Sequence, residues 1–337
     1  MLTAGLLVML AIGIGYFLYR LDQRRAASSP AAAWSWHEVG KALAAGTGAG
    51  VAVGLGGFFL AQMPHTTGMG SVMFLLVPVA AGFAIALVTP GPGVRIAAAL
   101  LAVLVSLVFL IAMGKEGVLC AILALPFLAI GLVAGIVLGR LLRPKLLGRR
   151  GDGAVAGLII VLTVPLISVA HLLERPMLNQ GRTEVATTAV WLQDSPERVW
   201  PLIASIDDVE AQRGWMMFVG LPVPRRCKLD SPGVGGKRIC YFDQGFIEET
   251  ITEWAPPTSM KLTINRTNMP GRHWLDFEGA AYELRREGSG TTVSRTTVIR
   301  SGLYPAFYWR QFERMGVEAE HRYIMEDLVR RAAQANQ

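Results

Sequence analysis

Only three cysteines and five histidines occur in this chain, and no Cys/His spacing or HExxH suits a metal ion. No Ser-His-Asp order suits a nucleophilic triad. Gly233-Val234-Gly235 sits in a hairpin with no helix behind it, so it is not a nucleotide-phosphate loop. The formal net charge is +7, yet no recognition motif and no basic stripe interleaved with aromatics is present, which excludes nucleic acid as a partner. No cofactor is expected. The absence that organises the chain is different: long stretches before about residue 175 carry no charge at all.

A helix needs roughly 20 apolar residues to cross a hydrocarbon core of about 30 Å. Six runs have that length: Leu2–Leu18, Lys41–Met63, Ser71–Thr89, Arg95–Met113, Gly117–Gly139 and Ala154–Leu172. A soluble helix needs a polar face, which these runs lack. The composition, 52% hydrophobic with a mean hydropathy of +0.42, is therefore an average over a membrane part and a water-soluble part. The first run is read as a retained helix, because Arg20, Arg24 and Arg25 follow its apolar stretch instead of preceding it.

Lys and Arg in short loops set orientation. One set of loops holds Arg20, Arg24, Arg25, Lys41, Arg95, Arg140, Arg143, Lys145, Arg149 and Arg150; the opposite set offers Lys115. The basic set belongs in the cytoplasm. Six crossings then place both the N-terminus and the C-terminal segment on the periplasmic side of a bacterial inner membrane, and one missed or false crossing reverses the latter.

No Asp, Glu, Lys or Arg lies at mid-depth in these runs, which disfavours a pump or coupled transporter. Gly46, Gly50 and Gly54, and Gly131, Gly135 and Gly139, recur at one-turn spacing. Such stripes let backbones approach closely, either within the bundle or toward a membrane-protein partner or second copy. Trp34, Trp36 and His37 suit an interfacial belt, and Pro126 and Pro165 suit kinks that a bundle tolerates.

From residue 183 the pattern changes. Thr183–Leu192 reads as a strand, Ser195-Pro196-Glu197 opens a helix over Glu197–Ile206, and Asp207–Arg213 reads as a second short helix. Strand-like runs follow at Met216–Leu229, Lys237–Phe242, Phe246–Trp254, Met260–Thr267, His273–Arg286 and Thr291–Ser301, and Pro305–Ala333 reads as one long helix.

Within this order, Ser195-Pro196-Glu197-Arg198-Val199-Trp200, Gly233-Val234-Gly235-Gly236-Lys237-Arg238, Glu253-Trp254-Ala255-Pro256-Pro257 and Gly288-Ser289-Gly290-Thr291-Thr292-Val293 carry a resemblance. The segment resembles the START-like (SRPBCC) superfamily of polyketide cyclases, dehydrases and lipid-transfer proteins. It covers residues 183–335 and leaves the first 180 outside. The resemblance implies an α+β helix-grip domain: a curved antiparallel sheet around a long C-terminal helix with a mostly apolar cavity between them. The expected architecture is thus a membrane α-helical bundle over residues 1–175 followed by a helix-grip domain over 183–335.

Strand alternation puts Ile247, Glu249 and Ile251 on one face, likewise Met260, Leu262 and Ile264, and Trp274, Tyr282 and Leu284 if no bulge intervenes. With Trp215, Phe218 and Tyr241 as aromatic walls, these side chains suit a hydrophobic small molecule or lipid. They suit a dry core equally. On the long helix Val317, His321, Ile324 and Leu328 share one face; Tyr308, Phe312 and Met315 point elsewhere, and Gly316 between them allows a bend. The aromatic front Tyr304–Phe312 then forms a pocket mouth or rests on the membrane surface. His321 is a candidate general base or a hydrogen-bonded core residue. Glu249, Asp276, Glu278 and Arg295 are candidates for an internal ion network. Binding or transfer of a lipid is the leading reading; a cyclase- or dehydrase-like enzyme and an accessory subunit of a membrane complex are the rivals.

Finally, a hairpin centred between Gly233 and Val234 places Cys227 opposite Cys240. In a non-hydrogen-bonded antiparallel pair the Cα atoms lie roughly 4.5 Å apart, within disulfide reach. An oxidising periplasm would join them and leave Cys120 free; a slipped register would leave separate thiols.

Overall fold

The computed structural model describes residues 35–62, 68–89, 91–147, 152–269 and 274–335. These fall into two compact units. One holds the residues up to Met113 and Ala121–Asn179, the other Gly114–Cys120 and everything from Gln180 onward.

The first unit is helical: α1 (Trp36–Ala61), a π-helical turn Val72–Leu76 running into α2 (Val77–Val88), α3 (Pro92–Ala112), α4 (Val118–Leu147) and α5 (Asp152–Gln180). A capping box starts α1: Ser35 accepts from the Glu38 amide, and the Glu38 carboxylate accepts from the Ser35 amide at 2.9 Å. Among the described residues four stretches are long and apolar enough to cross a membrane, Trp36–Ala61, Pro92–Ala112, Val118–Pro144 and Gly157–Gln180. Of the five expected runs that fall on the described residues, four coincide with these candidate spans. The run at Ser71–Thr89 forms only the shorter apolar helix Val72–Val88, since the chain turns at Thr89 before the next Pro-initiated helix. The first run, Leu2–Leu18, lies outside the described residues.

Both glycine stripes face neighbours in the same unit. A Cβ on Gly46 would strike Thr89 and Ala98, one on Gly50 Ala102 and Ile85, and ones on Gly131, Gly135 and Gly139 would strike Pro78, Val79 and Ala86 of α2. Close backbone approach within the bundle is what these positions provide. Glu174 on α5 accepts from the Ser71 and Val72 amides at 2.6 and 3.2 Å, satisfying the start of the π-turn.

The second unit is built on β1 (Arg182–Leu192), α6 (Pro196–Ala204), α7 (Trp215–Val219), β2 (Pro224–Leu229), β3 (Lys237–Phe242), β4 (Gly245–Ala255), β5 (Ser259–Thr267), β6 (Leu275–Glu287), β7 (Gly290–Ser301) and α8 (Ala306–Gln334). The seven strands form one antiparallel sheet in the order β1-β7-β6-β5-β4-β3-β2. Register slips between β2 and β3, β4 and β5, and β6 and β7 bend it, as bulges do. The curled sheet with its helices fits a helix grip. Its core joins Val199, Trp200 and Ile203 of α6, Ile251, Met260, Leu262, Tyr282 and Val293 of the sheet, and Met325 and Leu328 of α8.

Two local expectations change. Asp207–Arg213 is not helical, because Ile206 exchanges backbone hydrogen bonds with Cys227 at 2.8 Å and the Val209 amide donates to Arg225 at 2.7 Å, which holds the segment extended beside β2. Buried Asp327 of α8 fixes it from the other side, accepting from the Glu210 amide at 2.9 Å and from Arg330 and Arg331 at 2.6 and 2.7 Å. Met216–Leu229 is not one strand: α7 occupies its start and ends at Gly220, whose φ of 125° a residue with a Cβ would rarely adopt.

Candidate functional site

The sheet interior holds charges that the flanking hydrophobic residues cannot solvate. In the β3–β4 hairpin Arg238 stands directly opposite Glu249, and its Nε donates to Oε2 at 2.7 Å. Arg238 also donates through Nη1 to the carbonyl of Ile203 on α6 at 3.3 Å. Next across the sheet, Tyr282 faces Arg295 in register. The guanidinium carbons of Arg238 and Arg295 each lie 5.5 Å from the centre of the Tyr282 ring, cation-π contacts in a desolvated setting. Arg295 pairs with Glu320 of α8 at 3.0 Å through Nη2.

Burial opposes the charge on both guanidiniums, but the charge of Glu249 beside Arg238 and of Glu320 beside Arg295 outweighs it and raises both pKa values. The interior therefore keeps two cations. Among the described residues three of its polar atoms meet no hydrogen-bond partner: the Tyr282 hydroxyl and the Nε and Nη1 of Arg295. Such atoms are rare in native interiors, and each costs about 1–3 kcal/mol.

His321 occupies the next layer. One ring nitrogen meets the Thr297 hydroxyl at 2.7 Å and the other the Thr188 hydroxyl at 3.2 Å. Burial, helped by the neighbouring Arg295 cation, pushes its pKa down to about 2, so the ring is neutral and donates through one nitrogen while accepting through the other. Both nitrogens are already engaged.

The structure brings together Glu249, Ile251, Leu262, Tyr282 and His321 of the expected lining. The interior closes around them: Ile251, Leu262, Tyr282 and His321 keep at most 3% of their surface. Ile264, opposite Glu249, is half-buried. Tyr241 is half-buried beneath exposed Arg226, whose guanidinium lies 4.9 Å from its ring centre. Trp274 is buried ahead of β6, where its indole donates to Glu116 at 2.9 Å. Trp215 and Phe218 are exposed on α7 and take no part in this interior. Of the ion-network candidates, Asp276 is exposed and Glu278 pairs with Arg300 at 3.6 Å, because the slip between Phe277 and Gly279 reverses the alternation of β6.

Arg238 and Glu320 escape the sequence reading. A signal for Arg238 exists: counting outward from the Asp243-Gln244 turn pairs it with Glu249. Glu320 has none, since its role depends on how α8 crosses the sheet. Cys227 and Cys240 stand in register, and their sulfurs are joined in a disulfide with Cα atoms 4.0 Å apart.

No family model matches the chain, and no curated protein matches it. Solved structures do resemble its C-terminal half. A START superfamily protein from Mycobacterium smegmatis is 9% identical over 45% of this chain and 98% of its own, with a TM-score of 0.34. The di-domain ARO/CYC protein BexL from the BE-7585A biosynthetic pathway is 16% identical over 54% and 61%, also at 0.34. The Aha1 dimer from Colwellia psychrerythraea is 13% identical over 43% and 96%, at 0.29.

Proposed function

We propose that this is a bacterial inner-membrane protein whose helix-grip domain, on the periplasmic side, binds or transfers a hydrophobic ligand, a lipid. The observation that carries the reading is a set at the centre of the grip that meets no partner among the described residues, the Tyr282 hydroxyl with the Nε and Nη1 of Arg295, where Tyr282 packs with Ile251, Met260 and Leu262. A ligand with an apolar body and one hydrogen-bond acceptor satisfies both parts at once: its body replaces apolar contacts, and its acceptor meets donors that the closed interior leaves empty. Entry requires the closed interior to open.

Four candidate spans support membrane attachment. The asymmetry of Lys and Arg between loops and the Cys227–Cys240 bond favour the oxidising side for the domain. His321, neutral and held by two threonine hydroxyls, suits an ordered wall better than a general base. The test is lipid extraction from the detergent-purified protein beside Arg295→Met and Tyr282→Phe variants. Bound lipid falls several-fold in folded variants if the reading holds; equal amounts in all three contradict it.

A further inference from the structure

Four large apolar side chains of the second unit stand exposed around α7 and the first half of α8. Trp215 and Phe218 are 56% and 75% exposed, Phe307 81% and Met315 38%. Single exposed apolar residues need no explanation, but a group on one element does. On α7 the pattern is two-sided. Met216 and Met217 are buried, and Met217 packs with Val209, Val223 and Ile324 beside the Cys227–Cys240 pair, so the helix is rooted while its aromatic face is bare.

The position of this face identifies what covers it. Gly220 directly follows α7, and a Cβ built on it would lie 3.3 Å from Val118 and 3.5 Å from the Leu119 amide. Val118 is the first residue of the 27-residue apolar stretch Val118–Pro144. The place where the chain becomes apolar enough to cross hydrocarbon is thus in van der Waals reach of the end of α7. The α8 side converges on the same segment. A Cβ on Gly316 would lie 3.7 Å from Leu221 and 3.8 Å from Met216, and the Gly302 amide donates to the carbonyl of Trp274, whose indole reaches Glu116, two residues before Val118.

We propose that α7, together with Phe307 and Met315 of α8, is a bilayer-docking face, and that its occupant is the interfacial layer of the membrane that α4 crosses. Trp215 sits at the headgroup boundary, where tryptophan is enriched, with exposed Arg213 two residues earlier available to lipid phosphates. Phe218, one turn on, enters the acyl region. The domain is thereby held with one end in lipid and is more than tethered by its linker. This docking stands independently of ligand binding in the sheet interior, and either can fail alone.

The test uses the full chain in vesicles of phosphatidylethanolamine and phosphatidylglycerol. Phe218→p-benzoylphenylalanine is compared with the same replacement at Val234, which is 70% exposed in the β2–β3 turn. Both sites are exposed, so the fold tolerates the change, and Trp215→p-benzoylphenylalanine serves as a second reporter. After irradiation, intact mass gives about tenfold more lipid adduct at 218 than at 234. Equal or absent lipid adduct at 218, a crosslink from 218 to residues 1–34, or a crosslinked dimer overturns the proposal.

Discussion

The indole nitrogen of Trp274 donates to the Glu116 carboxyl at 2.9 Å across 158 positions of sequence, tying the short connection between α3 and α4 to the start of β6. Burial pushes the Glu116 pKa up to about 7, against the lowering effect of the Trp274 hydrogen bond. The fold thus favours the neutral acid more than the unfolded chain does. Its contribution is fully present below about 4.5 and is lost as pH rises to about 7, beyond which it stays lost. On an order-of-magnitude basis about 3 kcal/mol is at stake. The difference in unfolding free energy between the wild-type protein and Glu116→Gln, followed by tryptophan fluorescence, is expected to change by that amount over this pH window and to be flat above it. A flat difference throughout contradicts the assignment.

Arg238 and Glu249 are a buried pair, and removing one partner strands the other. Arg238→Met is expected to destabilise the domain by about 3–5 kcal/mol, whereas Arg238→Met with Glu249→Leu recovers much of the loss. Thermal unfolding of the three proteins in the same detergent measures this. Similar melting for the single and double variants argues against coupling.

Cys227 and Cys240 connect chemistry to location. Alkylation of the denatured protein without reductant is expected to modify Cys120 alone, and after reduction all three cysteines. Closing a loop of this size contributes about 2–4 kcal/mol, so reduction lowers the unfolding midpoint. Three labels before reduction exclude the bond and weigh against the periplasmic placement.

The legible parts were those in which one periodicity dominates. Alternation in β4 correctly turns Ile247, Glu249 and Ile251 inward, and α8 buries Val317, His321, Ile324 and Leu328 as its 3.6-residue spacing requires. The register Cys227–Cys240 followed from the centre of its turn. Other features depend on distant neighbours. The one-residue slip after Phe277 shifts which face Asp276 and Glu278 occupy, and nothing in the local pattern of β6 announces it. Phe218 falls in the run Met216–Leu229, which reads as a strand because apolar residues are continuous there; in the fold Gly220 ends a short helix that leaves Phe218 and the preceding Trp215 outside. Long-range partners such as Glu320 for Arg295, Glu116 for Trp274 and Asp327 for Glu210 are created by tertiary packing and carry no sequence signature.

The central claim is that the grip accommodates an amphiphile whose polar group meets Arg295 and Tyr282. Native mass spectrometry of the full chain released gently from detergent tests it directly. The expected result is a second population heavier by the mass of one lipid, lost on activation and strongly reduced in Arg295→Met. A single population at the mass of the bare chain, unchanged when lipid is added, would contradict it.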